Sequence, residues 1–106
     1  MISIEEFKKL ELKVAKIIEV KDHPYAEKLY IIKVDTGKNI KQLVAGIKKF
    51  YKPEELLNKL IVIVDNLQPA VIRGIESQGM LLAASDEKDI SLIIPEKEVA
   101  LGSSVR

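Results

Sequence analysis

Apolar and charged positions alternate near the start of the chain. Leu10, Leu12 and Val14 are separated by Glu11 and Lys13, the pattern breaks at Ala15-Lys16, and it resumes with Ile18 and Val20. A period of two is that of a half-buried strand. The break predicts a bulge at which a long first strand bends. Leu29–Thr36, rich in Ile, Val and Tyr, predicts a second strand, and Thr36-Gly37-Lys38-Asn39 a turn. Lys41–Ala45 predicts a third strand, ended by Gly46. Lys52-Pro53-Glu54-Glu55-Leu56-Leu57 has Pro and acids where a helix begins. Lys59–Val64 is a dense β-branched run, expected as a buried fourth strand. A loop is expected from about Asp65 to Gln78, then a fifth strand at Met80–Ala84 and another at Ile90–Ile94, stopped by Pro95. Ahead of these, Ser3–Lys9 predicts a short helix. Ser3 and Glu6 have capping-box spacing, and Phe7 and Leu10 are offered to the core.

Three strands, a helix and two strands follow the order of the five-stranded Greek-key OB barrel, with another small β-barrel as the alternative. OB folds bind oligonucleotides on strands two and three, between the loops joining strands one to two and four to five. Those loops would be Asp22–Lys28 and Asp65–Gln78. A mainly β single domain over 1–106 is expected, with the barrel at about 10–85 and a β extension at about 86–106. The apolar segments Ile90–Ile94 and Val99–Leu101 come after the barrel is complete. They must cover its open side or a second copy of the chain.

Composition narrows the function classes. No apolar run approaches the roughly 20 residues of a membrane span, and Met1–Glu6 lacks the pattern of a secretory signal. The cytoplasm is the expected location, with no membrane partner. The absence of cysteine excludes disulfides and thiolate metal sites. A composition rich in Lys, Glu and Ile leans weakly towards thermophily. The net charge of +1 hides an asymmetry. Residues 1–60 hold 13 Lys against 9 acids, and residues 61–106 hold 4 basic residues against 7 acids. Lys33–Lys52 alone contains six Lys and one Asp, either a seat for an anionic partner or a solvated surface.

Catalytic patterns fail on inspection. The single histidine, His23, precedes a proline in an expected loop and has no second histidine to work with. Gly74-Ile75-Glu76-Ser77-Gln78-Gly79 is one residue longer than a nucleophile elbow. Met80 and Leu81 stand where a phosphate-binding loop needs Lys and Ser or Thr. Asp86, Glu87 and Asp89 are expected as a solvated turn. No enzyme activity, metal or cofactor is expected.

The loop and strand from Asn66 to Ser85 are distinctive. Asn66-Leu67-Gln68-Pro69 followed by Ile72-Arg73-Gly74-Ile75-Glu76-Ser77-Gln78-Gly79-Met80 resembles the tRNA-binding domain family. This family includes the C-terminal domain or separate beta subunit of methionyl-tRNA synthetase, free-standing bacterial tRNA-binding proteins and the endothelial monocyte-activating polypeptide domain. Glu11-Leu12-Lys13-Val14-Ala15-Lys16-Ile17, His23-Pro24-Tyr25-Ala26-Glu27-Lys28-Leu29-Tyr30 and Val44-Ala45-Gly46-Ile47 match further family segments in order. The resemblance implies an OB fold, homodimerisation through the extension, and tRNA binding that reads structure rather than codon. It points to Lys28, Arg73, Ser77 and Met80 as tRNA-binding residues. Gln68, Ala15 and Tyr25 depart from the family's frequent Lys, Gly and Asp or Asn.

Each candidate carries a chemistry and an alternative. Lys28 and Arg73 would meet phosphates, the guanidinium bidentately; Arg73 has a salt bridge to Glu76 as its alternative. Ser77 can donate to a phosphate or a 2′-OH, or satisfy a local turn. Met80 can press on a base or ribose, or pack in the core. Asn66 offers an amide to RNA, or takes an αL turn. Lys16, Lys33 and Lys41 would line a basic face, or be plain surface charge. Gly74 and Gly79 allow tight backbone turns. Five aromatics, Phe7, Tyr25, Tyr30, Phe50 and Tyr51, are too few for extended stacking along a strand, which favours recognition of tRNA shape. Met1 and the short length suggest a separate subunit supplying tRNA affinity in trans to a methionyl-tRNA synthetase catalytic chain, with a domain excised from a longer protein as the alternative. The competing expectations are a dimeric protein-binding or export-chaperone module on the same fold, and a synthetase scaffold that does not touch tRNA.

Overall fold

The computed structural model describes residues 1–106. Ser3 caps the first helix, α1 (Ile4–Phe7): its Oγ accepts from the Glu6 N–H at 3.1 Å, and its own N–H donates to Glu6 Oε1 at 3.5 Å. The helix is a single turn, too short to carry an apolar stripe. Phe7 is accordingly only half-buried and Leu10 is exposed, so neither joins the core as expected.

The strands and the second helix follow as β1 (Leu12–Asp22), β2 (Tyr30–Asp35), β3 (Ile40–Ala45), α2 (Pro53–Leu56), β4 (Leu60–Val64), β5 (Ala70–Ile72), β6 (Ile75–Ser77), β7 (Met80–Leu81), β8 (Ala83–Ser85), β9 (Ile90–Leu92) and β10 (Ser104–Val105). The main sheet runs β3-β2-β1-β4-β7, with β10 also on β1. This is the nearly closed five-stranded barrel of an OB fold.

β1 serves two sides of that barrel. Leu12–Lys16 pair with β4 and Lys16–Asp22 with β2, and the register slips between Ile17 and Glu19. The bulge therefore falls later than Ala15-Lys16. The break in alternation has another cause: Val14 and Ala15, on opposite faces, are both buried. The C-terminal residues run alongside here, the Val14 N–H donating to Ser103 O and the Gly102 N–H to Val14 O. The expected fifth strand is split at Leu82. β7 pairs with β4, whereas β8 turns away to form a hairpin with β9.

Ala15, Ile17, Ile32, Val34, Leu43, Leu56, Ile61 and Ile63 fill the barrel, and none is measurably exposed. Leu92 of β9 joins them, and its N–H donates to Tyr51 Oη at 3.0 Å. Part of the extension thus covers the barrel. Ile93, Ile94 and Val99 stay exposed. No helix is long and apolar enough to cross a membrane.

Candidate nucleic-acid interface

The segment from Asp65 to Gln78, expected as plain loop, contains the hairpin β5–β6. Ile72 pairs with Ile75, leaving Arg73 and Gly74 as the two turn residues, at φ of 53° and 88°. Two consecutive positive φ values make a type I′ turn, whose twist suits a hairpin. Glycine tolerates this conformation, but for arginine it costs about 1–2 kcal/mol. Arg73 is exposed at the hairpin tip and forms no ion pair with Glu76.

Opposite the tip lies the connection between β1 and β2. Lys28 is exposed there and shares a cleft of about 560 Å³ with Arg73, Tyr25, Ala26, Glu27 and Leu29. His23 fixes this loop to the hairpin. The Tyr25 N–H donates to its Nδ1 at 3.0 Å, so the proton sits on Nε2, which donates to Ile72 O at 3.1 Å. His23 is 4% exposed. It is a loop residue as expected, but also a buried clip between two loops. Sequence reasoning missed both this clip and Tyr25, which is 71% exposed in the cleft. The His-Pro-Tyr run places a ring beside an imidazole, but only the folded hairpin supplies the carbonyl that holds it.

Lys33 lies outside that cleft. It lines a shallow depression of about 270 Å³ on β2 and β3 with Ile40, Lys41, Gln42, Glu76 and Gln78. Lys41 is committed elsewhere: its Nζ lies 2.6 Å from both Asp65 O and Asp65 Oδ1, and its side chain is largely buried. Lys16 is separated from both sites, lining a groove with Leu60 and residues 95–101 of the extension. Met80 is half-exposed at the start of β7, opposite Val64, and is not core packing.

Two candidates have polar groups committed to backbone partners inside the protein. Ser77 is 4% exposed; its Oγ accepts from the Val44 N–H and donates to Gly79 O, both at 3.0 Å. It has no hydroxyl to offer a phosphate. With it, Gln78 exchanges two hydrogen bonds with the Gln42 backbone, and Gln42 Nε2 donates to Glu76 O, so this segment closes the barrel against β3. A Cβ at Gly79 would stand 2.9 Å from Val64 O, which explains the glycine. Asn66 likewise accepts from the Glu11 N–H at 2.9 Å and donates to Lys9 O at 2.7 Å. Its φ is not positive; the amide clasps the N-terminal segment while the residue itself stays exposed.

The acidic run is a turn. Asp86 Oδ1 accepts from the N–H groups of Lys88 and Asp89, both at 2.8 Å, and these bonds hold its carboxyl below the usual carboxylate range. Burial raises the Tyr30 hydroxyl above its ordinary value, with Asp22 adding to the effect. That hydroxyl donates to Tyr51 O at 2.7 Å. No cluster of three or more metal-ligating side chains occurs.

Residues 12–104 match the family described as "Putative tRNA binding domain". The chain is 63% identical over 105 residues to a methionine–tRNA ligase of Pyrococcus horikoshii, covering 99% of this chain but only 14% of that protein. Among solved structures, a MetRS-related protein from Pyrococcus horikoshii superposes with a TM-score of 0.93 at 34% identity, covering 100% of this chain and 98% of the other. The chaperone CsaA from Bacillus anthracis gives a TM-score of 0.90 at 29% identity, covering 100% and 99%. With its fold, its hairpin motif and these matches in agreement, the chain belongs to the tRNA-binding domain family.

Proposed function

We propose that this domain binds tRNA by its shape and backbone, without reading sequence, and that it supplies tRNA affinity in trans to a methionyl-tRNA synthetase catalytic chain as a homodimer. The observation that carries this reading is the shared cleft of Lys28 and Arg73. Two loops distant in sequence each bring one unpaired cation to the same end of an OB barrel. Such cations meet phosphates, and the guanidinium fork can hold two oxygens of one phosphate. Lys33 adds a third cation on the adjoining face of β2 and β3. The synthetase link rests on likeness to a ligase of which this chain spans 14%. The dimer rests on the exposed apolar residues Ile93, Ile94 and Val99.

The test is retention of total tRNA on filters across a salt series, with unstructured RNA as competitor. Folded tRNA should be preferred, and binding should weaken as salt rises because bound counterions are released. Lys28→Ala should weaken it further. Equal competition by unstructured RNA would remove the shape-reading claim, and no retention at low salt would remove the function.

A second reading, a dimeric protein-binding chaperone, is favoured by the likeness to CsaA along the whole chain. Under that reading an unfolded polypeptide, and not tRNA, would compete for the exposed apolar residues.

A further inference from the structure

We infer that the cleft between Tyr25, Lys28 and Arg73 seats one unpaired nucleotide, its base on the tyrosine ring and its phosphate between the two cations. This rests on the tRNA-binding reading and narrows it to a structural class of RNA element, one with a base outside the stack.

Tyr25 is 71% exposed, yet it is not loose. Its N–H is held by His23 Nδ1 at 3.0 Å, and its ring meets the imidazole edge-on, with centroids 6.0 Å apart and planes at 71°. The imidazole is itself buried and hydrogen-bonded to Ile72, the residue before Arg73. One buried side chain therefore fixes an exposed aromatic ring relative to the cation on the facing hairpin. That is the arrangement of a stacking platform beside a phosphate site.

The cleft suits such an occupant. Its volume of about 560 Å³ lies within the range of ligand sites. Its charges are two cations against the single carboxylate of Glu27, and Ala26 and Leu29 add apolar lining. A base inside a duplex has both faces covered by its neighbours, so only an unpaired base offers a face to Tyr25. Stacking tolerates any base, which agrees with binding that reads structure and not sequence.

Three RNAs test this: tRNA, a blunt RNA duplex, and the same duplex with a short single-stranded 3′ overhang. The overhang should tighten binding to the wild-type protein by about tenfold, within the range of one stacked base. Tyr25→Phe should keep that gain and Tyr25→Ala should lose it, with thermal stability unchanged because the ring is exposed. Lys28→Ala should weaken the overhang duplex more than the blunt one, because it removes one of the two cations at the seated phosphate. In Tyr25→Trp, the chain's first tryptophan, fluorescence should be quenched by the overhang duplex and not by the blunt one. Equal affinity for the two duplexes, or an undiminished gain in Tyr25→Ala, would overturn the nucleotide seat while leaving tRNA binding in place. Failure of tRNA itself to bind would overturn both.

Discussion

Ser77 and Asn66 show what residue chemistry alone leaves out, namely the backbone groups a polar side chain serves in the fold. Both are polar, both sit in the segment most typical of the family, and both hydrogen-bond to backbone groups distant in sequence. Nothing in a linear sequence tells a hydroxyl that faces RNA from one that caps the backbone of a strand 33 residues away. The exposure of Lys28 and Arg73 was legible because long cations at loop tips rarely find enough internal partners to be hidden. Ser77→Ala should therefore act on stability. It strips the partly buried Val44 N–H of its acceptor, a loss of about 1 kcal/mol. The urea midpoint should fall, while tRNA affinity per folded molecule stays at the wild-type level. A drop in affinity with an unchanged midpoint would return Ser77 to the interface. Tyr30 makes a second prediction. Burial raises its folded-state pKa above the ordinary 10.0, so between the two values the folded state holds a proton that the unfolded state has released. Its contribution is complete below about pH 10 and is lost as pH climbs through the folded value. Thermal unfolding of wild type should show that loss in alkali, and Tyr30→Phe should show a shallower decline.

Among the elements, β2, β3 and β4 were readable because their β-branched runs are bounded by turn residues and match the residues that fill the barrel. The hairpin β5–β6 was not. Its turn is Arg-Gly and not the Asn-Gly or Asp-Gly that signals a type I′ turn, and its strands have three residues each, too short for a period to emerge. The split at Leu82 was hidden for a related reason: Met80–Ala84 is one apolar stretch, and only pairing with β4 and β9 divides it. Placing arginine at a positive φ means that this hairpin tolerates local strain to present a guanidinium. Arg73→Asn relieves the strain, since asparagine accepts αL, and removes the charge. The melting temperature should hold or rise slightly, whereas tRNA affinity should fall and the slope of log affinity against log salt should shrink by about one ion. Gly74→Ala reverses the pattern. At φ 88° with nothing within 4 Å of an added Cβ, it should cost about 1 kcal/mol through backbone strain alone. If Arg73→Asn left the salt slope untouched, Arg73 would not be meeting phosphate.

For the whole molecule, the extension divides its apolar residues between two tasks. Leu92 enters the barrel core, and β10 returns to pair with β1, so the tail is anchored at both ends. Between these anchors Ile93, Ile94 and Val99 remain exposed, and they are the residues on which the proposed dimer rests. A second copy would cover them and would carry a second cleft, so one tRNA could be held at two points. Linked sites raise apparent affinity well beyond either alone, provided the RNA can reach both. If the proposed dimer forms there, Ile94→Glu places a carboxylate in its contact and should shift the sedimenting species from dimer to monomer without lowering the melting temperature of the barrel. The affinity for tRNA should then fall at least tenfold, although Lys28 and Arg73 are untouched. Affinity for the short overhang duplex, which engages one cleft, should change little. That contrast separates loss of the second cleft from damage to the first. A dimer that survives Ile94→Glu would move the copy-to-copy contact to another face, and a monomer with undiminished tRNA affinity would show that a single cleft suffices.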